Sequence, residues 1–337
     1  MNRRDSLIAL LAATAATAPL TTPGTARAQP AAPPGARRLG ILMGYAENDP
    51  EAQLRLAAFK QKLATLGWVE GRNLTLDLLW TAGDADRAAP FAKQLVALKP
   101  DAILSNTTPN TTALQRETST IPIVFTAVSD PVGSGFVKTL ARPGGNITGF
   151  INLEASLIEK WLELLKEIAP RVKRVGVMYN PKSAPYADYY LKRFNAVASK
   201  FGVTAIPATV SNAAEIEKVI TTLARPADGG LIMLSDSFMT VQRKTVIALA
   251  ARHKVPAIYY VTAMAEEGGL IAYGINYADM FRNAAPYVDR ILRGAKPADL
   301  PVQQPTLYEL AVNLKTAKAL GLKVPHSMFV RAERVIE

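Results

Sequence analysis

The sequence predicts an α/β protein of two similar lobes, each a parallel sheet flanked by helices, joined by a hinge of several crossing strands. Three observations carry that expectation. Apolar, strand-like runs alternate with helical stretches of roughly 10–15 residues, the rhythm of crossover units on a parallel sheet. Two of the runs share one design: residues 121–133, IPIVFTAVSDPVG, and residues 229–237, GGLIMLSDS, are apolar segments that end in Ser-Asp. A run without polar breaks is a strand buried on both faces, and ligands of open α/β sheets collect at the carboxyl ends of the strands. Finally, 337 residues, 49% of them hydrophobic, suffice for two domains of about 150 residues each.

Taken in order, residues 39–45 form the first expected strand. Residues 49–66 show helical spacing through Leu54, Ala58, Lys62 and Leu66, and Gly67 stops the helix. Residues 73–80 alternate as a second strand, and Asp84 or Asp86 caps the helix ending near Leu98. A third strand begins at 102–104 and ends in Ser105, Asn106, Thr107 and Thr108; a helix over 110–117 follows. The 121–133 stretch comes next, then the breaker RPGGN at 142–146 and a strand at 147–152. In the second half, residues 157–168 are amphipathic, with Leu157, Trp161, Leu164, Leu165 and Ile168 on one face. Strands at 174–179 and 203–210 bracket a helix at 186–201, and Asn212 caps the helix through Leu223. The 229 strand, a helix at 241–253, and strands at 257–261 and 270–277 complete the rhythm, with Asp279 capping a helix to Leu292. The tail, 300–337, is too small for a domain and must complete a lobe already built. Counting units places the N-terminal lobe at 37–150 and 273–300, and the C-terminal lobe at 151–272 and 301–337. No short-period repeat occurs, which excludes a solenoid.

Composition excludes much chemistry. There is no cysteine, hence no disulfide framework, thiolate metal site or cysteine nucleophile. His253 and His326 are the only histidines, too few for a His-based metal site or triad. No cofactor and no metal are expected. His253 reads as a helix C-terminal cap. Dinucleotide, phosphate-loop and nucleophile-elbow motifs are lacking. The carboxylates of Asp130 and Asp236 could act as an acid–base pair, or each could cap a helix or hold a ligand's ammonium group; no enzyme activity is expected. The net charge of +11 would suit nucleic acid. The densest basic group, Arg171, Lys173 and Arg174, lies at a helix–strand junction, so the charge reads as a solvated surface and nucleic acid is not an expected partner.

The N-terminus reads as an export signal over 1–28: Arg3 and Arg4, a short apolar run at 7–18, and Ala26-Arg27-Ala28 before Gln29. The paired arginines fit twin-arginine export and the whole fits an ordinary secretory signal, so both routes stay open. Residues 29–36 read as a flexible leader, and the processed protein is expected to be soluble in the periplasm.

Polar and aromatic residues stand at strand ends throughout: Tyr45, Asn106, Thr107, Thr108, Ser129, Asp130, Tyr179, Asn180, Ser235, Asp236, Ser237 and Tyr273. Hydroxyls, amides, ring faces and a carboxylate suit a small polar or aromatic ligand, with the carboxylate holding a positive group. Each has a plainer reading beside it: Tyr179-Asn180-Pro181 as a turn, the Thr107–Asn110 stretch as a helix cap.

The chain resembles the tryptophan-type family of ABC-transporter substrate-binding proteins. The residues that carry the resemblance are IPIVFTAVSDPVG at 121–133, RPGGNITG at 142–149, VMYNP at 177–181, SDS at 235–237, AYGINY at 272–277 and LPVQQPTLYELAVNLKTAKALGL at 300–322. The resemblance implies a type I periplasmic binding-protein fold, and delivery of a small molecule, such as an amino acid, to an ABC permease. Members with aromatic amino-acid ligands carry Thr-Asp-Asn at the strand end, and their Asp, which takes the ammonium group, corresponds to Asp236. Here Ser235 and Ser237 flank it. The chain is expected to act as a monomer; the alternatives are a ligand sensor for a receptor kinase and an exported enzyme on the same fold.

Overall fold

The computed structural model describes residues 35–152 and 154–337. The expected export signal, and the leader through residue 34, lie outside the described residues. The first lobe is built on β1 (Arg37–Met43), β2 (Leu74–Trp80), β3 (Ala102–Asn106), β4 (Ile123–Val128) and β5 (Ile147–Ile151). They lie in the order β2-β1-β3-β4-β5, all neighbours parallel. Helices α1 (Pro50–Thr65), α2 (Ala88–Ala97) and α3 (Thr108–Glu117) make the crossovers. β3, β4 and β5 are buried at every residue, which is why their sequences carry apolar runs rather than alternation.

The second lobe opens with α4 (Leu157–Ile168) and continues through β6 (Arg174–Tyr179), α5 (Ala187–Ala198), β7 (Thr204–Thr209), α6 (Ala213–Leu223) and β8 (Gly229–Met233). Then come α7 (Ser237–Val241), α8 (Arg243–Arg252), β9 (Ala257–Tyr259), α9 (Thr262–Glu266) and β10 (Ile271–Gly274). After α10 (Tyr277–Leu292) the chain ends with β11 (Glu309–Asn313), α11 (Leu314–Ala319), α12 (His326–Arg331) and β12 (Arg334–Ile336). The second sheet runs β12-β11-β10-β9-β8-β6-β7, so the part of the tail beyond Gln303 adds two strands to it. Its pairs are parallel except β10 with β11, which are antiparallel.

Three segments cross between the lobes. The first follows β5. The second lies between Gly274 and Tyr277: Tyr273 still belongs to β10, whereas α10 packs on α1 of the first lobe, where the indole N–H of Trp68 donates to Asp289 at 2.8 Å. The third lies beyond Gln303, whose N–H donates to the Gly149 carbonyl at 2.9 Å and whose carbonyl accepts from the Ile151 N–H at 3.0 Å.

Two local expectations change. In α1 the buried residues are Ala52, Arg55, Leu56, Ala58, Phe59 and Leu63; Ala58 of the expected stripe is among them, but Leu54, which heads it, is 55% exposed. The α10 cap is Asn276, whose side-chain oxygen accepts from the Asp279 N–H at 3.1 Å, not Asp279. In α4 the expected face is the buried one, each large side chain contributing about 1.5–3 kcal/mol. His253 is the C-cap of α8, as read from the sequence. Among the described residues, no helix is long and apolar enough to cross a membrane.

Candidate functional site

The carboxyl ends of the first sheet are tied together by their own polar side chains. The Gly44 N–H, just past β1, donates to the Asn106 side-chain oxygen at 3.1 Å. A Cβ at Gly44 would stand 2.4 Å from Cγ2 of Thr107, so only glycine allows this approach. Thr107 itself has φ of 82°, and its buried hydroxyl oxygen has no hydrogen-bond partner among the described residues. Thr108 begins α3, and its hydroxyl accepts from the Ser129 N–H at 3.3 Å. β4 bulges between Thr126 and Val128, with Ala127 at φ of 54°. Left-handed non-glycine residues are costly and collect where a site needs them.

In the second lobe β8 leads through Leu234 into Ser235, Asp236 and Ser237. Asp236 is the N-cap of α7: Oδ1 accepts from the Met239 N–H at 2.7 Å and from the Ser183 hydroxyl at 2.9 Å, and Oδ2 accepts from the Asn180 N–H at 3.0 Å. No ion pair reaches it within 4 Å among the described residues. Burial raises its pKa to about 6 against the pull of those donors. The Tyr186 hydroxyl donates to the Ser235 carbonyl. Burial likewise raises the pKa of Tyr186, Tyr190 and Tyr277, so all three keep their protons.

The lobes meet through a buried chain of hydrogen bonds. The Tyr190 hydroxyl donates to Ser129 Oγ at 3.1 Å, and Ser129 Oγ donates to Asn152 Oδ1 at 2.8 Å. Asn152 Nδ2 donates to Ser235 Oγ at 3.1 Å, which pairs with the Tyr277 hydroxyl at 3.0 Å. Four of these five residues are no more than 2% exposed; Ser235 is 9% exposed. Arg243, buried, pairs with Asp49 across the lobes and with Glu267 in its own, and at the exposed rim Lys182 Nζ meets Asp86 at 2.7 Å. Gly83, with φ of 79°, lies so close to α7 that an added Cβ would stand 3.0 Å from the Ser237 carbonyl oxygen. Behind the chain, the Arg55 guanidinium lies over the rings of Tyr45 and Tyr277.

Tyr45, Asn106, Thr107, Thr108, Ser129, Asn180, Ser235, Asp236 and Ser237 are thus buried at the facing strand ends. Three expected residues sit elsewhere or at the margin. Asp130 is partly exposed, its carboxylate closing a turn onto the Gly133 N–H at 2.8 Å. Tyr179 is half-buried at the end of β6. Tyr273 stacks on Tyr308 at 5.7 Å between ring centroids. Asn180 also serves its own turn, accepting from the Lys182 and Ser183 N–H groups. Arg55, Asn152, Tyr186, Tyr190, Arg243 and Tyr277 join the site without having been singled out. Of these, Tyr277 alone stands in a segment that carries the family resemblance, AYGINY at 272–277.

A family model described as ABC transporter substrate binding protein matches residues 48–336. A tyrosine-binding protein of Clostridioides difficile (strain R20291) is 29% identical over 265 residues, covering 79% of this chain and 76% of that protein. The crystal structure of an ABC domain in complex with L-Trp, from Streptococcus pneumonia, superposes with a TM-score of 0.82 at 29% identity, covering 90% of this chain and 100% of that one. The ligand-free, open structure of a substrate-binding protein with adhesive properties from Clostridium difficile gives a TM-score of 0.64 at 28% identity, over 89% of this chain and 99% of that one.

Proposed function

The chain belongs to the ABC transporter substrate-binding protein family, and from that premise we propose that it closes its two lobes around one small polar or aromatic solute, an amino acid in the first instance, and delivers it to an ABC permease after export. The observation that carries this reading is the buried chain Tyr190–Ser129–Asn152–Ser235–Tyr277, which exists only when both lobes contribute. A solute that bonds to strand ends of both lobes stabilises the closed arrangement by its differential affinity for it. The higher TM-score to the L-Trp complex than to the open structure, at nearly equal identity, supports a closed arrangement here. The ligands of these relatives, tyrosine and L-Trp, support the amino-acid class. Asp236 supplies a buried carboxylate for an ammonium group, in a charge-assisted hydrogen bond.

The protein is read as a periplasmic monomer, with processing near Gln29. Calorimetric titration with the aromatic amino acids, L-tyrosine and L-tryptophan first, tests the solute class. Saturable one-to-one binding, with contraction of the scattering radius on addition of ligand, is the expected result. Absence of binding across the proteinogenic amino acids would overturn the amino-acid reading.

A further inference from the structure

Arg55 is a buried charged group beside the cleft that this reading leaves without a task. It is 1% exposed. Its guanidinium carbon stands 4.9 Å from the Tyr45 ring centroid and 4.4 Å from that of Tyr277. Nε has no hydrogen-bond partner among the described residues, and the carboxylate of its ion pair, Glu51, stands 3.8 Å off and is 27% exposed. A guanidinium keeps its proton at every working pH. A full positive charge is therefore buried with two ring faces and one distant, partly solvated anion. Cation–π contact recovers part of the desolvation cost, but a ring face does not accept the in-plane N–H bonds.

The guanidinium also lies beside the contact between the lobes. Tyr277 meets Ser235 Oγ of the second lobe, and its ring meets that of Tyr260 edge-on at 6.3 Å. Arg55 thus stands on the same closing interface as Asp236. We propose that Arg55 is the anion receptor of the cleft and takes the solute's carboxylate. The proposal rests on the solute-binding reading above and narrows it to solutes that carry a carboxylate. A flat carboxylate accepts two parallel bonds from the guanidinium edge and needs no room above or below the plane that the tyrosines cover.

Calorimetric titration of the wild type, Arg55→Met and Arg55→Lys with acid–amide pairs tests this. The pairs are L-tryptophan with L-tryptophanamide, L-tyrosine with L-tyrosinamide, and phenylacetate with phenylacetamide. The wild type should prefer an acid over its amide by about 30-fold or more, the scale of a buried charged contact. Arg55→Met should bring that ratio near unity with the amide's affinity little changed, and Arg55→Lys, which keeps the charge without the fork, should fall between. If Arg55→Met does not fold, the ratio in Arg55→Lys decides alone. Equal losses for acid and amide would make Arg55 a prop for the tyrosines and overturn the proposal; so would an undiminished preference in the variants, or binding of no acid at all. Arg55-dependent binding of phenylacetate without binding of either amino acid would remove the amino-acid reading and leave the Arg55 assignment standing. Amino-acid binding indifferent to Arg55→Met would do the reverse.

Discussion

Replacing Asp236 by asparagine should flatten part of the protein's stability–pH curve, and the structure sets the size of the effect. The carboxylate is 4% exposed and accepts three hydrogen bonds, but no cation lies within ion-pair distance among the described residues. Burial raises its folded-state pKa to about 6 from 3.8. A folded value above the unfolded one contributes stability that is complete below the unfolded pKa and lost as pH rises through the folded one. Over the full range the gap corresponds to about 3 kcal/mol, and between pH 4 and 7.5 to about 2.5 kcal/mol. Asparagine keeps an acceptor for the α7 cap and carries no charge, so it escapes this loss. Urea denaturation of both ligand-free proteins, followed by circular dichroism across that range, should show the difference between variant and wild type moving toward the variant by about 2.5 kcal/mol. Parallel curves, within about 1 kcal/mol, would refute the claim that the carboxylate is buried without a compensating charge. An ammonium-bearing solute should pull the pKa back down, so the wild type should bind it more tightly at pH 7 than at pH 5. Asp236→Ala is the harsher change: it strands the Asn180 and Met239 N–H groups and the Ser183 hydroxyl, at about 1–3 kcal/mol for each buried group. A strand-end carboxylate that looks dispensable to the core is therefore part of the fold of its own loop.

Three further outcomes follow from the lobe contacts. Gly83→Val should leave the lobes folded but unable to close on Ser237, so that added ligand no longer contracts the scattering radius; normal contraction would refute the close approach. Asp49→Asn keeps Oδ1 to cap α1 and loses the charged partner of Arg243, which Glu267 still holds; affinity should fall about 10-fold by calorimetry, and unchanged affinity would show the pair across the lobes to be idle. Tyr190→Phe removes the donor to Ser129 Oγ and should weaken binding about 2- to 10-fold, or about 0.5–1.5 kcal/mol; no change would place the hydrogen-bond chain outside the binding energetics.

The sequence by itself determined the alternation of strands and helices, and hence the two α/β lobes, because hydrophobic period is a property of contiguous residues. It also determined where apolar strands turn polar, so Asn106, Ser129, Ser235 and Asp236 were legible as strand-end groups. That the tail completes a lobe rather than forming one followed from arithmetic: it was too short to bury a core alone. What only the tertiary structure decided are relations between segments far apart in the chain. The antiparallel pairing of β11 is one, since alternation along a strand does not record its neighbour's direction. The buried face of α1 is another: Leu54 and Phe59 both stand in stripes of helical spacing, and packing against α10 covers Phe59 and leaves Leu54 exposed. Arg55 is hidden for the same reason. A charged residue in a mixed helix reads as solvated, and its burial arises from Tyr45 and from a tyrosine that the chain supplies only after it has built most of the second lobe and returned. Tyr190 sits on the ordinary apolar face of α5 and becomes a cleft residue because the lobes close against Ser129. Local pattern sets which groups face out of an element; the cleft is made by two surfaces meeting, and that meeting is encoded in no single stretch.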